Sequence, residues 1–161
     1  MSQNGLHRLV YASRRPQGLS RDPEGEVRDI LMASIKNNRS CGVTGLLIAS
    51  RGWFLQGLEG PPESVKRTYE RICTDSRHFD TVIRVSSPSD TRLFQRWTMC
   101  APRMSDADET ILGRLVDAPG FDPYDVPAPT ALDLLGQVAQ LHSDLLTHQH
   151  AELMGQVLRA A

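Results

Sequence analysis

The chain lacks most of what marks secreted, membrane-spanning or nucleic-acid-binding proteins. Its three cysteines, at 41, 73 and 100, form no C-x-x-C pair and no even set. That excludes a disulfide framework and points to a reducing compartment. Long apolar runs are missing: the longest nearly apolar stretch, "GVTGLLIA" at 42–49, is far too short to cross a bilayer. The opening "MSQNGLHRL" has no apolar core of a secretory signal. Neither charge is in excess, with 18 Lys and Arg against 19 Asp and Glu, so no basic field points to nucleic acid. There is no G-x-G-x-x-G, no P-loop, no nucleophile–base pair and no internal repeat. His142, His148 and His150 are six and two residues apart, which is poor helical geometry for a shared metal, so no metal site is expected. These absences predict a soluble cytoplasmic protein that is not an enzyme and has neither nucleic-acid nor membrane partners.

What is present is an ordered alternation of elements. The 161 residues suit one domain with an appended segment. "LHRLVYAS" (6–13) reads as a strand and "RRPQGLSRDP" as a loop. Over 24–38, Val27, Ile30, Leu31 and Ser34 fall at i, i+3, i+4 and i+7, a helical stripe closed by Asn37 and Asn38. "GVTGLLIAS" (42–50) and "WFLQGLEG" (53–60) read as a hairpin. Pro61-Pro62 then opens a helix to about Asp75, with Val65, Tyr69 and Ile72 on one stripe. "TVIRVSS" (81–87) and "LFQRWTMCA" (93–101) complete a β-α-β-β-α-β-β order. The fold class expected is α+β, a ferredoxin-like sheet with two helices on one face.

Residues 1–102 would form this domain and 103–161 a helical extension. "SDADETILGRLV" reads as a short helix, "DAPGFDPYDVPAP" (117–129) as a linker, and 130–158 as a long amphipathic helix. Leu134, Leu135, Val138, Leu141, Leu145 and Leu146 make its stripe. Both faces of the first strand carry apolar residues, so the C-terminal helices are expected to cover the sheet face opposite the first two helices. A helix over 130–157 would reach ~42 Å against strands of about 17–20 Å. It must break near Ser143 or meet another chain, so a homo-oligomer or a separate downstream protein is the expected partner.

One residue is out of place in this pattern. Gln56 sits in mid-strand on the face it shares with Phe54 and Leu58. Tyr11, Asn37, Asn38, Arg71, Asp75, Trp97 and Met99 should border the same space between sheet and helices. Amides both donate and accept, Arg donates to a carbonyl, and apolar walls stack on rings, so the set suits a planar heterocycle rich in carbonyls. Taken singly, each has a plainer explanation: Asn37-Asn38 as a helix end, Arg71/Asp75 as a surface i, i+4 pair, Trp97 and Met99 as core.

Taken together, "RLVYASR", "NNRSCGVTGLLIAS", "FLQGLEGP", "YERICTDSRH" and "FQRWTM" resemble the successive blocks of the BLUF family, blue-light sensors that use flavin. The resemblance spans about residues 6–101. It implies noncovalent FAD (or FMN or riboflavin) between the two helices. It implies Tyr11 as light-driven electron and proton donor and Gln56 as its relay to the flavin. Asn38, with Asn37 beside it, would hold the ring edge, and Arg71 would donate to a carbonyl. Asp75 and His78 would lie near the flavin and its phosphate end, with Trp97 and Met99 as the strand-five pair that responds. Gly57 departs from the family, which more often has a bulky aliphatic there. Two other functions fit the same fold. A light-blind interaction module would carry no photoactive flavin. An acylphosphatase-like enzyme would need a phosphate-cradling loop, and "SRRPQGLSRD" lacks a Gly-rich run leading into a helix. No cyclase, phosphodiesterase or DNA-binding domain follows residue 101, so output is expected to pass through protein contacts.

Overall fold

The computed structural model describes residues 5–16, 23–49, 52–94, 122–141 and 143–144. The expected strand over 93–101, with Trp97 and Met99, lies outside these residues except for Leu93 and Phe94. The expected helix before residue 117 and everything past 144 lie outside them too. The elements are β1 (Leu6–Arg14), α1 (Pro23–Arg39), β2 (Thr44–Ala49), β3 (Trp53–Gly60), α2 (Pro62–Cys73) and β4 (Phe79–Ser89). The strands form one antiparallel sheet in the order β2-β3-β1-β4, and the fold is ferredoxin-like, as expected.

Local chemistry explains the boundaries. β2 starts at Thr44 rather than 42 because Gly42 takes a left-handed turn, φ 71°, which glycine adopts without a Cβ clash. α1 carries Lys36 and Arg39 in its last turn, where positive charge meets the helix dipole. α2 opens on proline with Glu63 in its first turn, and Thr68 Oγ1 bonds back to Ser64 O at 2.8 Å. It stops at Cys73, where Thr74 returns its backbone N–H and its hydroxyl to Arg71 O, at 3.2 and 2.8 Å.

The sheet is buried on both faces along β1, β2 and β3, whereas β4 keeps Phe79, Val82 and Ile83 exposed. Leu9, Tyr11, Leu47, Phe54, Leu58 and Val65 form one core with Ile30, Leu31, Tyr69 and Ile72 of α1 and α2 packed against it. Val10, Ala12, Leu46, Ile48, Leu55 and Phe94 form the other with Leu134, Leu135, Val138 and Ala139. Those last four lie on a helical stretch, α3, that spans 128–141, with 143–144 also helical. The C-terminal helix therefore covers the face opposite α1 and α2, as the apolar residues on both sides of β1 require.

The expected linker over 117–129 is corrected in its described part. Residues 122–127 are a turn packed on the sheet, and α3 begins at 128, with Ala131 N bonded to Pro127 O at 3.0 Å. Asp122 Oδ1 accepts the amide of Tyr124 at 2.9 Å, an Asx turn. The Tyr124 hydroxyl bonds Asp80 O at 2.7 Å, its ring lies 4.6 Å from the Arg14 guanidinium carbon, and Arg84 Nη2 holds Val126 O at 2.5 Å. The prolines serve the first turn of a helix, where a missing N–H does no harm.

Candidate functional site

Tyr11 and Gln56 are direct partners across β1 and β3. Their side chains leave the sheet together toward α1 and α2, and each is only 2% exposed. The Tyr11 hydroxyl donates to Gln56 Oε1. A buried carboxamide in a core is thereby joined to a buried phenol, which resolves the oddity of a glutamine in that strand. The Tyr69 ring lies 5.5 Å from the Tyr11 ring, tilted by 58°, and the His78 ring lies 6.1 Å away. His78 Nδ1 is 3.0 Å from Ser13 Oγ, and its ring meets Phe54 edge-on at 6.0 Å.

Two adjoining clefts open beside this pair. The inner one is lined by Tyr11, Gln56, Phe54, Leu47 and Ile30, with Asp75, Arg77 and His78 at its edge. The outer one runs between α1 and α2 and is lined by Asn37, Asn38, Thr68 and Arg71, among others. Ser34, Ile72, Asp75 and Arg77 border both. Of the expected site residues, Tyr11, Gln56, Asp75 and His78 thus come together at the inner cleft, and Asn37, Asn38, Arg71 and Asp75 at the outer. Asn38 is buried to 1% exposure, while Asn37 and Arg71 are exposed at the mouth.

The expected Arg71/Asp75 pair is corrected. α2 ends at Cys73, so Asp75 has left the helix and the i, i+4 geometry no longer holds. Its carboxylate is held instead by Arg77, whose backbone N–H and Nε both reach Oδ1 at 2.9 Å. Arg77 was not singled out in the sequence, although Asp followed two residues later by a backbone donor is an Asx-turn signal. Ser34 was seen only as part of a helical stripe, and Tyr69 only as core.

The electrostatics follow from burial and from that clamp. Burial pushes the Tyr11 phenol far above its ordinary range, and the neighbouring Tyr69, Cys73 and Asp75 add to the rise. Tyr11 is therefore a neutral donor at any ordinary pH. Hydrogen bonding from Arg77 holds the Asp75 carboxyl below the usual carboxylate value, and burial lowers His78. Among the described residues no cluster of His, Cys, Asp or Glu could hold a metal, and no helix is long and apolar enough to cross a membrane.

This architecture defines a ferredoxin-like domain whose ligand cleft ends on a buried tyrosine–glutamine pair. Residues 6–100 match the family model described as BLUF, "Sensors of blue-light using FAD", and the chain belongs to that family of flavin-binding light sensors. It is 33% identical over 89 residues to the blue light- and temperature-regulated antirepressor BluF of Escherichia coli K12, covering 55% of this chain and 21% of the relative. It is 28% identical over 144 residues to the photoactivated adenylate cyclase subunit beta of Euglena gracilis, covering 89% of this chain and 14% of the relative. The chain thus spans about a fifth of the length of the first relative and about a seventh of the second. The solved structure of BlsA in its photo-activated state is similar with a TM-score of 0.72 at 29% identity, covering 83% of this chain and 94% of that one.

The clefts fit such a ligand. Carboxamides at 37, 38 and 56 can both donate and accept along a ring edge carrying carbonyls and an N–H. Ile30, Leu47, Phe54 and Ile72 provide apolar walls, and the Arg71 guanidinium, unpaired among the described residues, faces the mouth.

Proposed function

We propose that this chain is a blue-light receptor that holds FAD noncovalently in the two adjoining clefts and signals through Tyr11 and Gln56. The observation that carries this is the hydrogen bond from the buried Tyr11 hydroxyl to Gln56 Oε1, placed at the inner end of the cleft. When bound, the flavin supplies blue-light absorption and an excited state able to take an electron from a nearby phenol.

The protein's part is to control one proton. Tyr11 keeps its proton in the dark because burial makes the phenolate costly. A phenol that has lost an electron is a strong acid, and the acceptor already in place is Gln56 Oε1. The proton crosses without main-chain movement, since the two residues are register partners. When electron and proton return to Tyr11, the amide of Gln56 remains in a second arrangement, rotated or tautomeric. Asn38, Asn37 and Arg71 hold the ring edge and its carbonyls. Asp75, fixed by Arg77, and His78 border the ring and its phosphate end, while Trp97 and Met99 respond to the altered amide. The domain consumes no substrate.

Relatives named as an antirepressor and as cyclases support an output made by contact with another protein or a second copy. We place residues 1–102 as the photosensor and 103–161 as its output extension, in the cytoplasm. An absorption spectrum before and after blue light tests the proposal, with chromatography of the released pigment. The expected result is a yellow protein that releases FAD and shows a small reversible red-shift. Colourless protein, or flavin that bleaches without a shift, overturns it.

A further inference from the structure

Gly57 is a glycine in the middle of β3, and the side of the sheet opposite Gln56 shows what its missing side chain makes room for. A Cβ at Gly57 would lie 2.6 Å from both Cε2 and Cζ of Phe94 and 3.4 Å from Leu135 Cδ1. The first two distances are impossible for real atoms. The Phe94 ring therefore rests on the bare backbone of β3, fully buried, one residue from Gln56 and next to α3.

The residues just before Phe94 are fastened on all sides. Glu59 is a completely buried carboxylate that takes the Leu93 N–H at 2.9 and 2.7 Å and pairs with Arg8 Nε at 3.0 Å. Arg8 Nη2 also holds Thr91 O at 3.1 Å. Arg92 reaches Thr44 Oγ1 at 2.9 Å and Gly42 O at 2.8 Å. Leu93 in turn lies on α3, its Cδ atoms 3.7 and 3.8 Å from where a Cβ of Gly136 would be. Two consecutive residues, Leu93 and Phe94, thus grip two consecutive residues of α3, Gly136 and Leu135.

We propose that Phe94, seated on Gly57, is the positioning residue that carries the state of Gln56 through the sheet to α3. This rests on the proposed function. Adjacent residues of a strand face opposite sides, so the peptide between 56 and 57 is shared by the photoactive amide and by the Phe94 seat. At position 57 no side chain intervenes whose rotamers could absorb a sub-ångström shift of that peptide. The ring is rigid, its neighbours are close-packed, and packed contacts pass small displacements on.

The test compares hydrogen–deuterium exchange of amides 131–139 in darkness and under blue light, with the flavin red-shift recorded on the same samples. Wild type is expected to show exchange in that stretch changing about fivefold or more on illumination. Gly57→Ala, which evicts the ring, and Phe94→Leu, which removes its plane, are expected to keep the red-shift and lose most of that change. The double variant, which fits a smaller side chain to the filled seat, is expected to recover part of it. Ile48→Ala, which thins the same core opposite Leu55 rather than opposite Gly57, is expected to keep it. Unchanged light-dependent exchange in both single variants overturns the inference, as does its loss in Ile48→Ala. A wild-type red-shift without any change in α3 also overturns it, alone. No red-shift in wild type refutes the functional reading instead. Dark circular dichroism and flavin content check folding, and Phe94→Met, with nearly the same volume, replaces Phe94→Leu if that variant does not fold.

Discussion

Tyr11→Phe separates the photochemical role of the hydroxyl from the packing of the ring. The ring has its own neighbours, Tyr69 at 5.5 Å and His78 at 6.1 Å, and phenylalanine keeps that shape. Only the donor to Gln56 Oε1 is lost. A typical buried hydrogen bond contributes about 1 kcal/mol net, and depriving a buried acceptor of its donor costs about 1–3 kcal/mol. For a chain of this size about 1 kcal/mol moves Tm by roughly 2–4 °C. The flavin-free variant should therefore melt roughly 2–12 °C lower. With flavin, the variant should purify yellow, because the ring edge is held from α1 and α2. Its red-shift should be abolished, since the proton it needs has no source. Differential scanning calorimetry gives the first number and a light-minus-dark spectrum the second. A normal reversible shift in Tyr11→Phe refutes the role of the hydroxyl. Gln56→Leu should give the same pair of results, coloured but without the shift.

Asn38→Ala and Arg71→Ala should each lower flavin retention while leaving the shift of the retained fraction intact; equilibrium dialysis showing wild-type affinity for both would remove them from the site. Asn38 is buried and should cost folding as well, whereas Arg71 is exposed and should not. Glu59→Ala should destabilise the fold by about 3 kcal/mol, because the Leu93 N–H loses its acceptor and Arg8 its counter-charge; a urea midpoint equal to wild type would contradict the clamp. Acid should weaken the fold in two stages. His78 is lowered from 6.5 by burial, so the unfolded chain takes its proton first, and stability present above that pH is lost as pH falls below it. Asp75 is held below 3.8 by Arg77, so its contribution is lost lower still. His78→Gln should flatten only the upper stage, and an unchanged profile would show that His78 does not drive it.

Much of the fold was legible because its signals are local. Period-2 alternation marked β1 and β3, and proline marked the start of α2. The alternation also singled out Gln56, since a strand face that reads Phe54, Gln56, Leu58 is anomalous whatever surrounds it. What stayed hidden depends on distant partners. β4 begins at Phe79, two residues before its expected start, because its first pairing is with Arg14 on β1, and that register lies in no single segment. Residues 122–127 have the composition of a linker, and only the meeting of Tyr124 with Arg14 and Asp80 makes them a packed turn. Asp75 could be assigned to Arg71 or Arg77 only once the last turn of α2 was located. Gly57 stood out in the sequence, but that Phe94, 37 residues on, occupies the place of its missing side chain lies in no local pattern.

The alternation of β3 has a consequence for how such a receptor changes over generations. Phe54, Gln56 and Leu58 face α1 and α2, while Leu55, Gly57 and Glu59 face α3 and the turn before Phe94. On the proposed roles, detection and transmission are written on interleaved letters of one eight-residue word. Substitutions at one set of letters can retune the partner or the strength of the response without touching the pigment chemistry, and the reverse holds for the other set. A lineage can exchange its listeners while keeping its eye.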